Sequence, residues 1–594
     1  MTLASQERAI PAAQLAEALK LPRSIADVLI QRGLDTPEKA GAFLDPSLDR
    51  LGSPHLFGQM QIAVERLLTA VRAEQPVAIY ADRDVDGLAG LAVLVRTLRS
   101  LGGTVIWGSP VKGRGLEREV LERLARSEAK VMVLVDCGTG EHAELEWLKS
   151  QGIDVIVADH HRFTAIRPPA FAWIHPETLE NNDGEPPAGC VMAFKLAHAV
   201  WISFLGHDDP ERMDYFLFSH LDLIAMGLLA DRMPLRGENR ILLWHGLRRL
   251  AYSRKVGISS LTRFFRLTPR SGPLSVREVN WQLIPILNAG GRLGRPEVTA
   301  ELLITEDPDV ARDCIDQLLA LNSQRRAAQD ASLASFEKAV LEQCSLETDP
   351  VLVALARDVE PSVTGLAAQS LVRKYGRPAF LFVRQGNECV GSGRGMPGFD
   401  LFAWIEAHQE WIVKYGGHQG AVGLTIRAAD FETFRTRLIG TAREALAALD
   451  PALVVINHAD VSSRVEAIVA LEELDEFWWL SLGRLAPFGT GHPMPLFQIQ
   501  GVETIVPVVR KRSKKPVEEF ILKSGICEIR AKFEEPSPQP SPEKGEGASV
   551  DTLSLLGRGI KGEGPWDLIG YPTAVSKSSR EFTWTIRNMW RSNG

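Results

Sequence analysis

No stretch of about 18 uninterrupted apolar residues occurs in this chain, so no helix in it is expected to span a membrane. Its first residues, MTLASQERAI, lack the basic segment followed by an apolar one that marks a secretory leader. Cysteine is scarce and dispersed. Cys137, Cys190, Cys314, Cys344, Cys389 and Cys527 include no C-x-x-C pair, which argues against zinc knuckles and disulfide frameworks and for a reducing cytoplasm. Positive charge is also in short supply: the net charge is −7 and the pI about 6.1. Any surface that attracts phosphate must therefore come from an uneven distribution of charge. Length is not lacking, since 594 residues with 45% hydrophobic and 24% charged side chains suffice for several domains with cores of their own.

The chemistry begins at PVAIYADRDVDGLAG, residues 76–90. A short apolar run, Val77 to Tyr80, reads as a buried strand and then breaks into Asp82, Asp84 and Asp86. On an extended backbone residues two apart point the same way, so these carboxylates are expected to converge at the strand's carboxyl end, where open α/β sheets place their ligands. Converging carboxylates raise one another's pKa and call for a cation, and oxygen ligands favour Mg²⁺ or Mn²⁺. A polar turn between strand and helix is the plainer alternative. The layout recurs twice, however: Asp136 follows the run Val131 to Val135, and Asp159, His160 and His161 follow Val155 to Ala158. Imidazole beside carboxylate tilts the preference toward Mn²⁺. In HLDLIAMGLLADRMPL, Leu221, Ile224 and Leu228 recur at helical spacing and Asp231 comes where the helix should stop, as a fourth acidic site or as a surface Asp.

Taken together, Asp-x-Asp-x-Asp, the strand-end Asp136, the Asp159-His160-His161 triplet and Ala230-Asp231 resemble the DHH phosphoesterases. Within that family the chain looks most like the 5′ to 3′ exonucleases specific for single-stranded DNA. The resemblance implies two divalent cations, Mn²⁺ or Mg²⁺, held by Asp82, Asp84, Asp86, Asp136, His160 and Asp231. It also implies catalytic roles for Asp136, His160 and His161, with His161 on the scissile phosphate and Asp159 behind the ligands. Single-stranded DNA as substrate, a place in DNA repair and recombination, and pairing with a helicase and a single-strand-binding protein follow from the resemblance alone, and a cytoplasmic monomer is expected. Two other classes share parts of this pattern: a phosphatase or phosphodiesterase acting on a small nucleotide, and a weakly active DNA-binding scaffold. Ala81 and Arg83 replace the family's glycine and tyrosine without touching the ligands; Glu360 and Ser362 stand where it has histidine and glycine.

The expected fold is α/β. Strands at 77–80, 104–107, 131–135 and 154–157 alternate with helices at 88–101, 116–127 and 141–151, as in a doubly wound parallel sheet. Residues 1–50 read as a helical lead-in, 51–250 as the catalytic domain and 251–345 as a helical connector. The connector contains LIPILNAGGRLGRP, a glycine-loosened basic loop whose Asn288, Arg292 and Arg295 suit phosphate. Residues 346–445 form a second, smaller α/β unit of the DHHA1 type, with Arg394 and the Gly417-His418 pair as candidate substrate contacts. Residues 446–594 resemble an oligonucleotide-binding (OB-fold) β-barrel entered through APFGTGHPMPLF, with Arg510, Lys511 and Arg512 opening a basic run. The stretch 534–565, rich in Pro, Ser, Gly and Glu, reads as a disordered insertion. All the ligand motifs precede Ala445, so a chain ending there is expected to keep its chemistry.

Overall fold

The computed structural model describes residues 10–447, 465–507, 519–533, 566–576 and 581–591, apart from short gaps at 114, 164–165, 180–184, 206–209, 268–271, 358, 397–398, 419 and 525–526. The chain forms two compact units, both discontinuous in sequence: residues 1–21, 32–325 and 480–494 make the first, and 22–31, 326–479 and 495–594 the second. Among the described residues no helix is long and apolar enough to cross a membrane.

Three short helices lead in: α1 (Ala12–Leu19), α2 (Arg23–Gln31) and α3 (Pro37–Leu44). α4 (Met60–Arg72) then delivers the chain to a sheet in which strand and helix alternate: β1 (Val77–Ala81), α5 (Val85–Ser100), β2 (Val105–Gly108), α6 (Arg118–Ala125), β3 (Val131–Val135), α7 (His142–Ser150), β4 (Asp154–Ala158) and β5 (Ala172–Ile174). The order is β2-β1-β3-β4-β5 and every pairing is parallel. The pleat sorts the side chains: Val77, Ile79 and Ala81 enter the core shared with α4, α5 and the later α8, while Ala78 and Tyr80 enter the core under α6 and α7. With helices on both faces, the sheet is doubly wound as the strand spacing implies. β5 escapes sequence reading because three residues are too few for a period.

The unit continues through α8 (Gly189–Leu205), α9 (Pro210–Ala230), α10 (Gly237–Ala251) and α11 (Val256–Phe264), then α12 (Val276–Glu278), a π-helical stretch Val279–Leu283, α13 (Ile284–Arg292) and α14 (Pro296–Ile304). The expected basic loop at 288–292 is thus the end of a helix. Two glycines weaken a helix interior, and here the loss is offset by packing: a Cβ on Gly291 would collide with the carbonyl of Arg83.

A 36-residue helix, α15 (Pro308–Gln343), ends in the second unit. There β6 (Leu352–Ala356), α16 (Thr364–Tyr375), β7 (Ala379–Gln385), β8 (Glu388–Arg394), α17 (Leu401–Glu406), β9 (Ile412–His418), β10 (Ala421–Arg427) and α18 (Phe431–Ala447) build a mixed sheet of order β6-β7-β8-β10-β9. After β11 (Ala467–Ala470) and α19 (Glu476–Leu485), the strands β12 (Phe497–Val502), β13 (Thr504–Pro507), β14 (Glu519–Ser524), β15 (Cys527–Phe533), β16 (Trp566–Ser576) and β17 (Glu581–Arg591) form a seven-stranded sheet, β11-β12-β16-β17-β15-β14-β13. The basic run at Arg510, Lys511 and Arg512 and the insertion 534–565 lie outside the described residues.

APFGTGHPMPLF is divided between the units: it runs into that sheet at Phe497, the first residue of β12, but its residues up to Met494 pack elsewhere. Residues 480–494 belong to the first unit. Leu235 N–H donates to the Thr490 carbonyl at 2.9 Å, and Arg236 Nε donates to the Gly491 carbonyl at 3.1 Å. The buried guanidinium of Arg240 donates to the carbonyls of Phe43, Arg484, Ala486 and Pro487.

Candidate metal centre

The sheet ladder lines up the site. Val135 is paired with Ala81 on one side and Ala158 on the other, and Ala158 with Ile174. The next residue of each strand continues the pattern: Asp82 N–H donates to Val135 O (3.1 Å), Asp136 N–H to Ala158 O (3.0 Å) and Asp159 N–H to Ile174 O (3.3 Å). Asp82, Asp136, Asp159 and His175 therefore stand in a row across the carboxyl ends of β1, β3, β4 and β5.

The expectation that Asp82, Asp84 and Asp86 alternate along one extended segment needs correction. Asp84 is extended, but its Oδ1 accepts from the N–H groups of Asp86 (3.0 Å) and Gly87 (3.2 Å), capping α5 so that Asp86 already lies in the first helical turn. Asp86 consequently points elsewhere. Its two oxygens accept from Gly189 N–H (2.7 Å) and Cys190 N–H (3.0 Å), at the amino terminus of α8. Burial, then the charges of Asp84 and Asp231, push its carboxyl up to about 7.

Ligand atoms gather in overlapping groups, each within 4.8 Å: Asp82, Asp84 and Asp136; Asp86, His160 and Asp231; and Asp136, Asp159, His160 and His161. The first two meet where His160 Nε2 lies 3.2 Å from Asp136 Oδ1 and 3.6 Å from Asp231 Oδ2. These contacts are not salt bridges at neutral pH, because burial, reinforced by the charge on His161, depresses His160 to about 4. Asp136 is held well above the usual carboxylate range by burial and by the surrounding aspartates. Neither His160 Nε2 nor Asp136 Oδ1, both buried, makes a hydrogen bond. An imidazole nitrogen and carboxylate oxygens brought together in a buried cluster with no hydrogen-bond partner fit a divalent cation.

Asp159 is set apart from the ligands by its partners. One oxygen accepts from His160 N–H (2.7 Å), His161 N–H (3.2 Å) and His161 Nδ1 (2.8 Å); the other accepts from Thr139 N–H (3.2 Å) and Thr139 Oγ1 (3.0 Å). Burial opposes its charge, but the bonds from His161 and His160 prevail and hold it below the ordinary value. The same bond from His161 Nδ1 raises that imidazole to about 9, so it is a cation on the solvent side of the cluster.

Sequence reasoning missed His175, Thr139 and Gly189. His175 is buried, and its Nε2 donates to the His161 carbonyl at 2.8 Å, fixing the histidine pair from below. The signal was available, for Ala172-Trp173-Ile174-His175 is another apolar run ending in a ligand-type residue. A Cβ on Gly189 would lie 2.5 Å from the Asp136 side chain, so only glycine lets α8 approach.

The proposed phosphate contacts divide. Asn288 Oδ1 accepts from Val85 N–H at 3.0 Å, which makes it a support for the aspartate turn. Arg292 is exposed at the end of α13. Arg295 pairs with Glu297 and donates to Gln317 at 3.2 Å. Arg394, in the second unit, is half-buried, with Nη1 donating to the Gly393 carbonyl at 2.8 Å. Arg394 and His418 are both cross-strand neighbours of Ala421.

Fold and strand-end row of candidate ligands together define a class, the DHH phosphoesterases, and residues 76–228 match the DHH family, N-terminal domain, while 348–444 match the DHHA1 domain. The single-stranded-DNA-specific exonuclease RecJ of Dickeya dadantii is 30% identical over 84% of this chain and 87% of its own length. RecJ of Bacillus subtilis is 30% identical over 81% of this chain, which spans only 59% of that relative. The crystal structure of Thermus thermophilus RecJ in complex with Mn²⁺ superposes with a TM-score of 0.71 at 25% identity, covering 98% of this chain and 78% of the other. The chain belongs to the RecJ family.

Proposed function

We propose that this chain is a metal-dependent exonuclease that hydrolyses phosphodiester bonds of single-stranded DNA from the 5′ end, with two divalent cations, Mn²⁺ or Mg²⁺. The observation that carries the reading is the pair of ligand groups meeting at Asp136 and His160, 3.2 Å apart. Asp82, Asp84 and Asp136 would hold one ion, and Asp86, His160 and Asp231 the other. Bound there, such ions lower the pKa of a water molecule and stabilise the charge on the leaving oxygen. The protein's own part is orientation and charge. Asp159 fixes both histidines, neutral His160 turns Nε2 toward Asp136 and Asp231, and cationic His161 presents its exposed edge to the scissile phosphate. Arg292 offers an exposed charge for the backbone.

In the second unit we assign Arg394, Gly417 and His418 to the substrate, supported by the register that sets Arg394 and His418 on either side of Ala421. The seven-stranded sheet is read as a curled, OB-like barrel for the DNA strand. In support, β12 and β14 approach each other although they are not neighbours in the sheet order. The domain limits 51–250, 251–345, 346–445 and 446–594 are retained only with 480–494 reassigned to the catalytic unit. A cytoplasmic setting is supported by the described cysteines, all five of which are free.

The test is digestion of single-stranded oligonucleotides labelled at either end, with and without Mn²⁺. Metal-dependent release of mononucleotides from the 5′ end is expected. Release only from small nucleotides, with long strands untouched, would favour a small-substrate phosphodiesterase instead.

A further inference from the structure

Trp281 is the most exposed large apolar side chain among the described residues, with 74% of its surface open to solvent. It projects from the π-helical stretch Val279–Leu283, a conformation that is rare and concentrates at functional sites. Together with Arg277, Glu278 and Gln282 it lines a shallow surface depression. The carboxylate of Glu278 is already occupied, accepting from Ser275 N–H at 2.7 Å and Ser275 Oγ at 2.8 Å in a capping box. That leaves an open indole face beside the exposed guanidinium of Arg277.

The position of this ring matters because the same helical run is fixed to the metal centre. Seven residues on, about 10 Å of helical rise, Asn288 binds Val85 N–H, and Gly291 then packs on Arg83 in the aspartate turn. The run ends at exposed Arg292. An aromatic platform flanked by arginines suits a flexible polyanion with π faces, since bases of any sequence stack on an indole while the guanidinium meets the backbone. A protein partner fits less well: the apolar surface is a single ring among polar side chains, far short of a stable protein interface.

We propose that Trp281, assisted by Arg277, is a base-stacking subsite for single-stranded DNA, placed away from the scissile phosphate along the helical run that ends at Arg292. The proposal rests on the nuclease reading above.

The experiment measures binding of a fluorescently labelled single-stranded oligonucleotide to the full chain by anisotropy, without metal so that no hydrolysis intervenes, and with a series in which one base at a time is abasic. In the wild type, one abasic position should weaken binding by about 5- to 150-fold, the worth of one stacked base. Trp281→Ala should weaken binding of the intact strand to the same extent and be insensitive to that abasic position, while Trp281→Phe keeps most of the affinity and Arg277→Ala loses part of it. Equal affinities of wild type and Trp281→Ala across the whole series would overturn the subsite while leaving the nuclease reading intact. Failure of the wild type to bind any member would remove both.

Discussion

Asp136 shows most clearly how a single residue governs the centre. It ends β3 in a left-handed conformation, φ 58°, is almost fully buried, and belongs to two of the ligand groups. Asp136→Ala should lower turnover by at least about a hundredfold, because several kcal/mol of charge stabilisation depend on the ions it shares. Full turnover of the variant at saturating Mn²⁺ would remove Asp136 from the site. The same crowding of carboxylates predicts how the metal-free protein responds to pH. Asp86 titrates near 7 in the folded chain against an ordinary value of 3.8, and Asp136 is raised as well. A carboxyl with a raised folded pKa favours folding while protonated, so its contribution to stability is greatest at low pH and is lost as pH rises through about 7. With EDTA present, the melting temperature should fall by about 3 °C or more between pH 6 and pH 8. Mn²⁺ should flatten that slope to the part contributed by His161, whose imidazole is raised to about 9, and a slope unchanged by Mn²⁺ would mean that the ion does not bind at these carboxylates. The positions of Asp82, Asp136 and Asp159 were legible because each follows an apolar strand. Their separate duties were not: the five donors on Asp159 come from Thr139, His160 and His161, and no spacing rule brings Thr139 to Asp159.

At the scale of elements, sequence periodicity located β1, β3 and β4 well, since each is a buried run with clear punctuation. It failed where tertiary packing overrides local preference. Asn288, Gly290 and Gly291 look like loop residues, yet they form the last turns of α13, where Gly291 packs on the Arg83 carbonyl and Gly290 on Thr299 and the Arg295 carbonyl. That difference separates two variants that the motif treats alike. Asn288→Ala removes the acceptor for Val85 N–H, a loss of about 1 kcal/mol that loosens the aspartate turn. It should weaken Mn²⁺ binding while barely changing affinity for single-stranded DNA in the absence of metal. Arg292→Ala should do the reverse, lowering DNA affinity and its salt dependence with metal binding intact. Mn²⁺ titration followed by electron paramagnetic resonance, beside oligonucleotide anisotropy, distinguishes them; identical profiles for the two variants would contradict the assignment. In the same way Gly189→Ala should compromise the metal centre without touching DNA, because the added methyl falls on Asp136.

For the whole molecule, the linear order of motifs misleads about what can be removed. Every proposed ligand precedes Ala445, which suggests that a shortened chain would suffice for chemistry. The first unit, however, is closed by residues 480–494, and the second includes residues 22–31, where Ser24 Oγ accepts from the buried Trp478 Nε1 at 2.9 Å. Sequence could not reveal this, because Arg240 and Ala486 are joined only through folding. Three of the four carbonyls that receive the buried Arg240 guanidinium belong to Arg484, Ala486 and Pro487. Truncation at Ala445 removes all three, along with the Thr490 carbonyl that holds Leu235, just beyond Asp231. Leaving a buried cation with only the Phe43 carbonyl as acceptor costs several kcal/mol, so the first unit of the truncated chain should melt about 10 °C or more below that of the full chain and bind Mn²⁺ more weakly. Introducing Arg240→Met into the truncated chain should restore part of the melting temperature, since the uncompensated charge is gone, whereas in the full chain the same change should be destabilising. If the chain ending at Ala445 instead melted and bound Mn²⁺ like the full protein, residues 480–494 would be a passive covering, and Asp231 would be positioned by α9 alone.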